Sequence, residues 1–193
     1  MKKNTNLPLG GLSICFDLDG TLVDTAPDLV RVTNEVIAGR GHGPVNYRKA
    51  RSAVGYGSRR MITDALEDVG DAASQAEIDA MQREFLDRYA KSIDQLSKPF
   101  LGVEETLTTL RYLGAELSVC TNKPGWLARP LLKALKLTPY FVRIVGSDDA
   151  SRKKPAPDHI FEAAGHRKLN RIVMVGDSWP DMRAAIMLMC IQS

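Results

Sequence analysis

The stretch Ser13-Ile14-Cys15-Phe16-Asp17-Leu18-Asp19-Gly20-Thr21-Leu22 decides how this chain is read. An apolar run ends in two aspartates one residue apart, followed by Gly-Thr. A run of this length and make-up reads as a strand buried on both faces. At the carboxyl end of such a strand, residues two apart point the same way. Asp17 and Asp19 then offer two carboxylates to one small volume, at the edge where open parallel sheets bind ligands. Like charges that close repel unless a cation joins them or one is protonated. The stretch therefore asks for a metal and suggests a reaction in which one carboxylate attacks and the other shuttles a proton. The plainer reading is an Asp-Gly turn closing a strand.

Working outward, residues 1–11 read as a loose leader and the first strand as about 12–17. From 25 to 96 nothing looks like a strand. Pro27 suits a first helical turn, Leu29, Val32, Val36 and Ile37 keep helical spacing, and Gly39, Gly41 and Gly43 stop that helix. Ser58 is placed to cap a second helix that ends at Gly70. Ser74-Gln75-Ala76-Glu77 is a capping box, opening a long amphipathic helix through Ile78, Phe85, Tyr89, Ile93 and Leu96. Beyond 97 the pattern alternates. Strands are expected at 117–120, 142–145 and 172–175, with helices near 103–113, 126–135, 157–164 and 181–189. Strands alternating with helices mean βαβ units and a parallel sheet, and right-handed crossovers bring every strand's carboxyl end to one edge. The expected architecture is α/β, with helices on both faces of the sheet. Residues 1–24 and 97–193 form the core, and 25–96 an all-helical insert.

Composition narrows the partners. Hydrophobic residues make up 44% and charged residues 25% of the 193, ordinary for a soluble globular chain. The net charge of +3 comes from 26 basic and 23 acidic residues, well mixed. That is too weak to argue for nucleic acid as a partner, and no Lys/Arg-rich run of the required density appears, so none is expected. No apolar stretch reaches membrane-spanning length, and no signal-like segment follows the basic N-terminus, so a cytosolic location is expected. Cys15 and Cys120 lie in strand-like runs and, with Cys190, are not spaced as ligands; they read as reduced thiols, the first two buried. His42, His159 and His166 sit among polar neighbours and read as surface residues. The apolar run 172–175 expects neighbours on both sides, and the chain ends soon after, at Gln192-Ser193. This suggests missing strands, an exposed edge and low solubility or a low melting temperature. Composition leaves the oligomeric state open.

Four strand ends supply polar residues to one edge. They are Asp17 and Asp19; Thr121 and Asn122; Lys154, in Arg152-Lys153-Lys154-Pro155; and Asp177 and Asp181, in Gly176-Asp177-Ser178-Trp179-Pro180-Asp181. Each alone has a bland alternative as a turn, a basic loop or a helix's first turn. Their appearance in this order is far more specific. Together they resemble the four motifs of the haloacid-dehalogenase-like hydrolase superfamily. Phe16 through Asp28, Val54-Gly55-Tyr56-Gly57, Gly102 through Leu107 and Thr121-Asn122-Lys123-Pro124 are similar to the phosphoglycolate phosphatases in particular.

The resemblance implies a Rossmann-like core, a mobile helical cap at 25–96, Mg²⁺ and hydrolysis of a small phosphomonoester, with 2-phosphoglycolate the leading substrate. It implies that Asp17 attacks phosphorus, that Asp17, Asp177 and the backbone carbonyl of Asp19 hold the metal, and that the Asp19 side chain is the acid and base. Thr121 and Lys154 would meet the phosphoryl group, with Asn122 beside them, and Asp181 would orient Lys154 or metal-bound water. Arg59 and Arg60 could meet a substrate carboxylate from the cap, against the plainer reading of a solvated helix start. Trp179 would shape the pocket mouth or simply pack. A sugar phosphomutase on the same core, and an inactive truncated fragment, are the competing readings. Dehalogenation is disfavoured, because a halide needs no proton from Asp19.

Overall fold

The computed structural model describes residues 7–190. Among the described residues six strands run in chain order: β1 (Ser13–Phe16), β2 (Val23–Asp24), β3 (Lys98–Pro99), β4 (Glu116–Cys120), β5 (Arg143–Val145) and β6 (Ile172–Val175). Eight α-helices accompany them: α1 (Ala26–Ala38), α2 (Tyr47–Ser52), α3 (Ser58–Asp68), α4 (Gln75–Lys91), α5 (Val103–Tyr112), α6 (Gly125–Ala134), α7 (Asp158–Ala163) and α8 (Trp179–Cys190). The chain divides into two compact units, residues 1–23 with 99–193, and residues 24–98.

The first unit is built on a parallel sheet of order β5-β4-β1-β6. All four residues of β1 are buried, as its apolar run requires. Register fixes the geometry that matters. Phe16 pairs with Val119 on one side and Val175 on the other, and Cys120 pairs with Val145. Pairing continues past the strands, with Asp17 N donating to Val175 O at 2.9 Å and Thr121 N to Val145 O at 3.1 Å. The residues following β1, β4 and β6 are thus held level at one edge of the sheet. Cys15 and Cys120 lie on the face covered by α7 and α8, among Ile160, Ala163, Ala164, Ala184 and Leu188. By alternation Ile14, Phe16, Leu117 and Val119 face the other way, and α5 packs on β4 while α6 packs on β5. Burial pushes the Cys15 thiol up to about 11 and that of Cys120 well above its usual range, so both stay protonated and inert.

Several local expectations are corrected. Residues 7–11 are held, not loose: Leu9 N donates to Leu113 O at 2.9 Å, and Leu7 lies so close to Gly114 that a Cβ there would meet Leu7 Cβ at 2.8 Å. The rest of the expected leader, residues 1–6, lies outside the described residues. The described β6 pairs with β1 on one side only, leaving Val173 and Val175 exposed at the sheet edge.

The second unit is helical. Ser74 and Glu77 form the expected capping box of α4. That helix stops at Lys91, so Ile93 and Leu96 lie beyond it. Ser58 opens α3 as its first residue, and the capping position falls on Gly57. Helix α2 was not expected, and Asn46 caps it. Asp28, fully buried, ties the start of α1 to the end of the unit. Its Oδ2 accepts from Leu96 N, Ser97 N and Ser97 Oγ at 2.7–2.8 Å. Burial raises the Asp28 carboxyl, but these donors and Arg31 outweigh it and hold it below its ordinary value. Among the described residues no helix is long and apolar enough to cross a membrane.

Candidate active site

Asp17 and Lys154 form the centre. Lys154 is buried, and its Nζ lies 3.0 Å from Asp17 Oδ1 and 2.5 Å from Asp181 Oδ1, while donating to Cys120 O at 2.6 Å. Burial works against the Lys154 charge, but Asp17 and Asp181 outweigh it and keep the amine protonated. Burial also pushes the Asp17 carboxyl up to about 6, Lys154 pulling it down and Asp181 and Asp19 adding to the rise.

Asp177 follows β6 and faces the same volume. Carboxylate oxygens of Asp17, Asp177 and Asp181 lie within 4.8 Å of one another. Thr21 Oγ1 donates to Asp177 Oδ1 at 2.7 Å, so the loop after β1 orients the acid that follows β6. That loop turns at Gly20, with φ at +90°, and a Cβ there would sit 2.4 Å from Asp177 Oδ2. Asp181 is committed elsewhere. Its Oδ2 accepts from Ser178 N and Ser178 Oγ and its Oδ1 from Lys154, the arrangement of a group that orients its neighbours.

The donor set fits a hard divalent cation. Among the described residues Lys154 pairs with Asp17 and Asp181 and Lys123 with Asp19, so the four acids outnumber their two buried ammonium partners. Asp17 Oδ1 is buried with Lys154 Nζ 3.0 Å away but outside hydrogen-bonding geometry, and Asp177 keeps Oδ2 beside Gly20. Oxygen-only ligands at this spacing suit Mg²⁺. We expect Gly20→Ala to displace Asp177, costing about 1–3 kcal/mol of stability through its left-handed backbone and roughly 10–100-fold in Mg²⁺ affinity. Melting curves across a Mg²⁺ titration measure both.

The other predicted residues are placed as follows. Thr121, buried at the end of β4, accepts from Lys123 N through Oγ1 at 3.1 Å, so its hydroxyl proton can point to an anion. Asn122 Nδ2 donates to Lys154 O at 3.1 Å, which makes it a brace for the lysine loop. The Asp19 carboxylate is outside the Asp17–Asp177–Asp181 cluster and pairs with Lys123. Arg59 belongs to the second unit, where Nη1 donates to Asp79 Oδ1 at 2.5 Å and Gln82 Oε1 at 3.3 Å. Arg60 pairs with Asp64. Trp179 is exposed, with the Arg183 guanidinium over its ring.

Two residues escaped the sequence reading. One is Lys123. The other is His159, expected at the surface but fully buried. Lys154 N donates to His159 Nδ1 at 3.3 Å, so the ring's proton sits on Nε2 and is donated to Val145 O at 3.1 Å. The imidazole pins the lysine loop to the end of β5. Burial lowers its basicity and Lys154 adds to this, while Val145 O, Glu162 and Asp149 oppose. With a folded value below the ordinary His value of about 6.5, the unfolded chain binds more protons in that window. The contribution of His159 is therefore complete above about pH 6.5 and is lost as pH falls towards the folded value. We expect His159→Leu to cost about 1–3 kcal/mol at pH 7.5 and to flatten this acid limb in denaturant titrations.

The haloacid dehalogenase-like hydrolase profile matches residues 14–189. A phosphoglycolate phosphatase of Agrobacterium fabrum is 44% identical over 184 residues, covering 94% of this chain and 78% of that protein. An N-acetylmuramic acid 6-phosphate phosphatase of Pseudomonas aeruginosa is 32% identical, covering 89% and 76%. The crystal structure of a predicted phosphoglycolate phosphatase from Haemophilus somnus superposes with a TM-score of 0.82 at 29% identity, covering 91% of this chain and 80% of that one. With a profile match running from β1 through α8, and relatives aligned over most of their length, the chain belongs to the haloacid dehalogenase-like hydrolase family.

Proposed function

We propose that this chain is a Mg²⁺-dependent phosphatase that hydrolyses the phosphomonoester of a small acid, 2-phosphoglycolate first among them, through a phosphorylated Asp17. Phosphoric monoester hydrolysis is supported by the family and by the relatives' names. Both relatives' substrates, as named, are phosphorylated acids. The observation that carries the reading is the convergence of Asp17 with Asp177, Asp181 and Lys154 at one sheet edge.

In this reading an Asp17 oxygen attacks phosphorus while the bond to the ester oxygen breaks, and Asp19 gives that oxygen its proton. Asp19 then takes a proton from water, whose oxygen attacks phosphorus and frees the Asp17 carboxylate and inorganic phosphate. Lys154 and the Thr121 hydroxyl meet the charge on the phosphoryl oxygens, the dominant contribution in phosphoryl transfer. Asp17, Asp177 and the Asp19 carbonyl hold the cation, which when bound offsets the repulsion between carboxylate and phosphate. Residues 24–98 serve as a helical cap that selects the substrate.

Phosphate release across a panel of phosphomonoesters, with Mg²⁺ and with chelator, tests this. Phosphoglycolate is expected to be the best substrate and chelation to abolish turnover. Turnover unaffected by chelator would defeat the metal assignment, and a sugar bisphosphate product without free phosphate would point to a mutase.

A further inference from the structure

We propose that Lys123 is a positioning residue for the proton-transfer step: its ammonium, 2.8 Å from Asp19 Oδ1, fixes the carboxyl group so that Oδ2, the oxygen that carries the proton, faces the leaving oxygen. The inference rests on the reading of Asp19 as the acid given above. Lys123 and Asp19 are both buried, so their pairing is little screened by solvent. The lysine is also held from behind. Its N donates to Thr121 Oγ1 at 3.1 Å, and its O accepts from Ser147 N at 3.1 Å. The contact between the loops after β4 and β5 is too close for any side chain at 146: a Cβ on Gly146 would lie 2.1 Å from Gly125 N and 2.8 Å from Lys123 O. A lysine anchored this firmly after β4, reaching the loop after the neighbouring β1, is built to hold something still. Asp19 has to serve in two half-reactions, so its oxygen must stay on the same path for alkoxide and for water.

The two lysines divide the site. Lys154 joins Asp17 and Asp181, the acids beside phosphorus, and Lys123 holds the acid beside the leaving group. Loss of Lys123 should therefore hurt in proportion to how much the leaving group needs a proton.

The test compares the best alkyl phosphate of the panel with p-nitrophenyl phosphate, whose phenolate leaves without protonation, in wild type, Lys123→Met, Lys123→Arg and Asp19→Asn, each with Mg²⁺ and a melting curve. Lys123→Met is expected to lower kcat/KM, which reports the step that expels the leaving group, about 10–100-fold on the alkyl ester, at least about ten times more than on the aryl ester. Lys123→Arg should recover most of the loss. Equal losses on both esters in Lys123→Met, or no loss, while Asp19→Asn remains selective for the alkyl ester, overturn the role of Lys123 alone. An Asp19→Asn enzyme without that selectivity overturns the assignment of Asp19 itself. Should Lys123→Met fail to fold, Lys123→Gln, which keeps a donor without the charge, carries the same comparison.

Discussion

Asp17→Asn is expected to lower kcat for phosphate release by on the order of 10⁶-fold, the scale seen when other covalent nucleophiles are removed, without unfolding the chain. An amide of the same shape cannot attack phosphorus. The fold should tolerate it, because the change removes a carboxyl already pushed up by burial and leaves Lys154 its 2.5 Å contact with Asp181. Backbone pairing of residue 17 with Val175 is untouched. Phosphate release with saturating Mg²⁺, beside a melting curve, separates the two effects. A folded Asp17→Asn enzyme within tenfold of wild type would remove the nucleophile from this scheme.

Lys154→Met should do harm on two separate axes. Lys154 is the cation shared by two buried acids, with side-chain exposures of 1% for the lysine, 6% for Asp17 and 3% for Asp181. Removing one partner of such a cluster strands charge in the interior, at about 3–5 kcal/mol. Removing a preorganised donor from the phosphoryl site should cost roughly 10²–10³-fold in kcat. The stability loss should be larger in chelator than in excess Mg²⁺, since a divalent ion between Asp17 and Asp177 relieves part of the same repulsion. If Mg²⁺ leaves the melting temperature of both wild type and variant unmoved, the carboxylates do not form a cation site.

The architecture was legible because its signals are local and repeated. Apolar runs at β1, β4 and β6 alternate with helical periods, and a polar residue follows each run within two positions; parallel topology does the rest. The Ser74–Glu77 box was legible for the same reason, as a pattern closed within four residues. What escaped is what only tertiary packing decides. Lys123 stands in Thr-Asn-Lys-Pro, which reads as a turn, and its importance appears only when Asp19, 104 residues away, comes within 2.8 Å. His159 lies between Asp158 and Ile160 in a short helix, and the inward face of α7 is His159, Ile160 and Ala163. A histidine buried beside charged neighbours leaves no hydrophobic period to find. Helix α2 was missed because Ala50 is its one buried residue, so it has almost no apolar face. Asn122 Nδ2 donates to Lys154 O, a bracing contact that its residue type alone does not announce.

The level ends of β1, β4 and β6 have a consequence for how the protein comes into being. Asp17 leaves the ribosome more than a hundred residues before the lysines that offset its charge, and Asp177 follows later still. Until β6 docks beside β1, an emerging chain holds a nucleophile with no competent surroundings. Non-local pairing of this kind forms slowly. Refolding followed by phosphate release should therefore show catalytic power arriving only in the final structural phase, behind any probe of helix content.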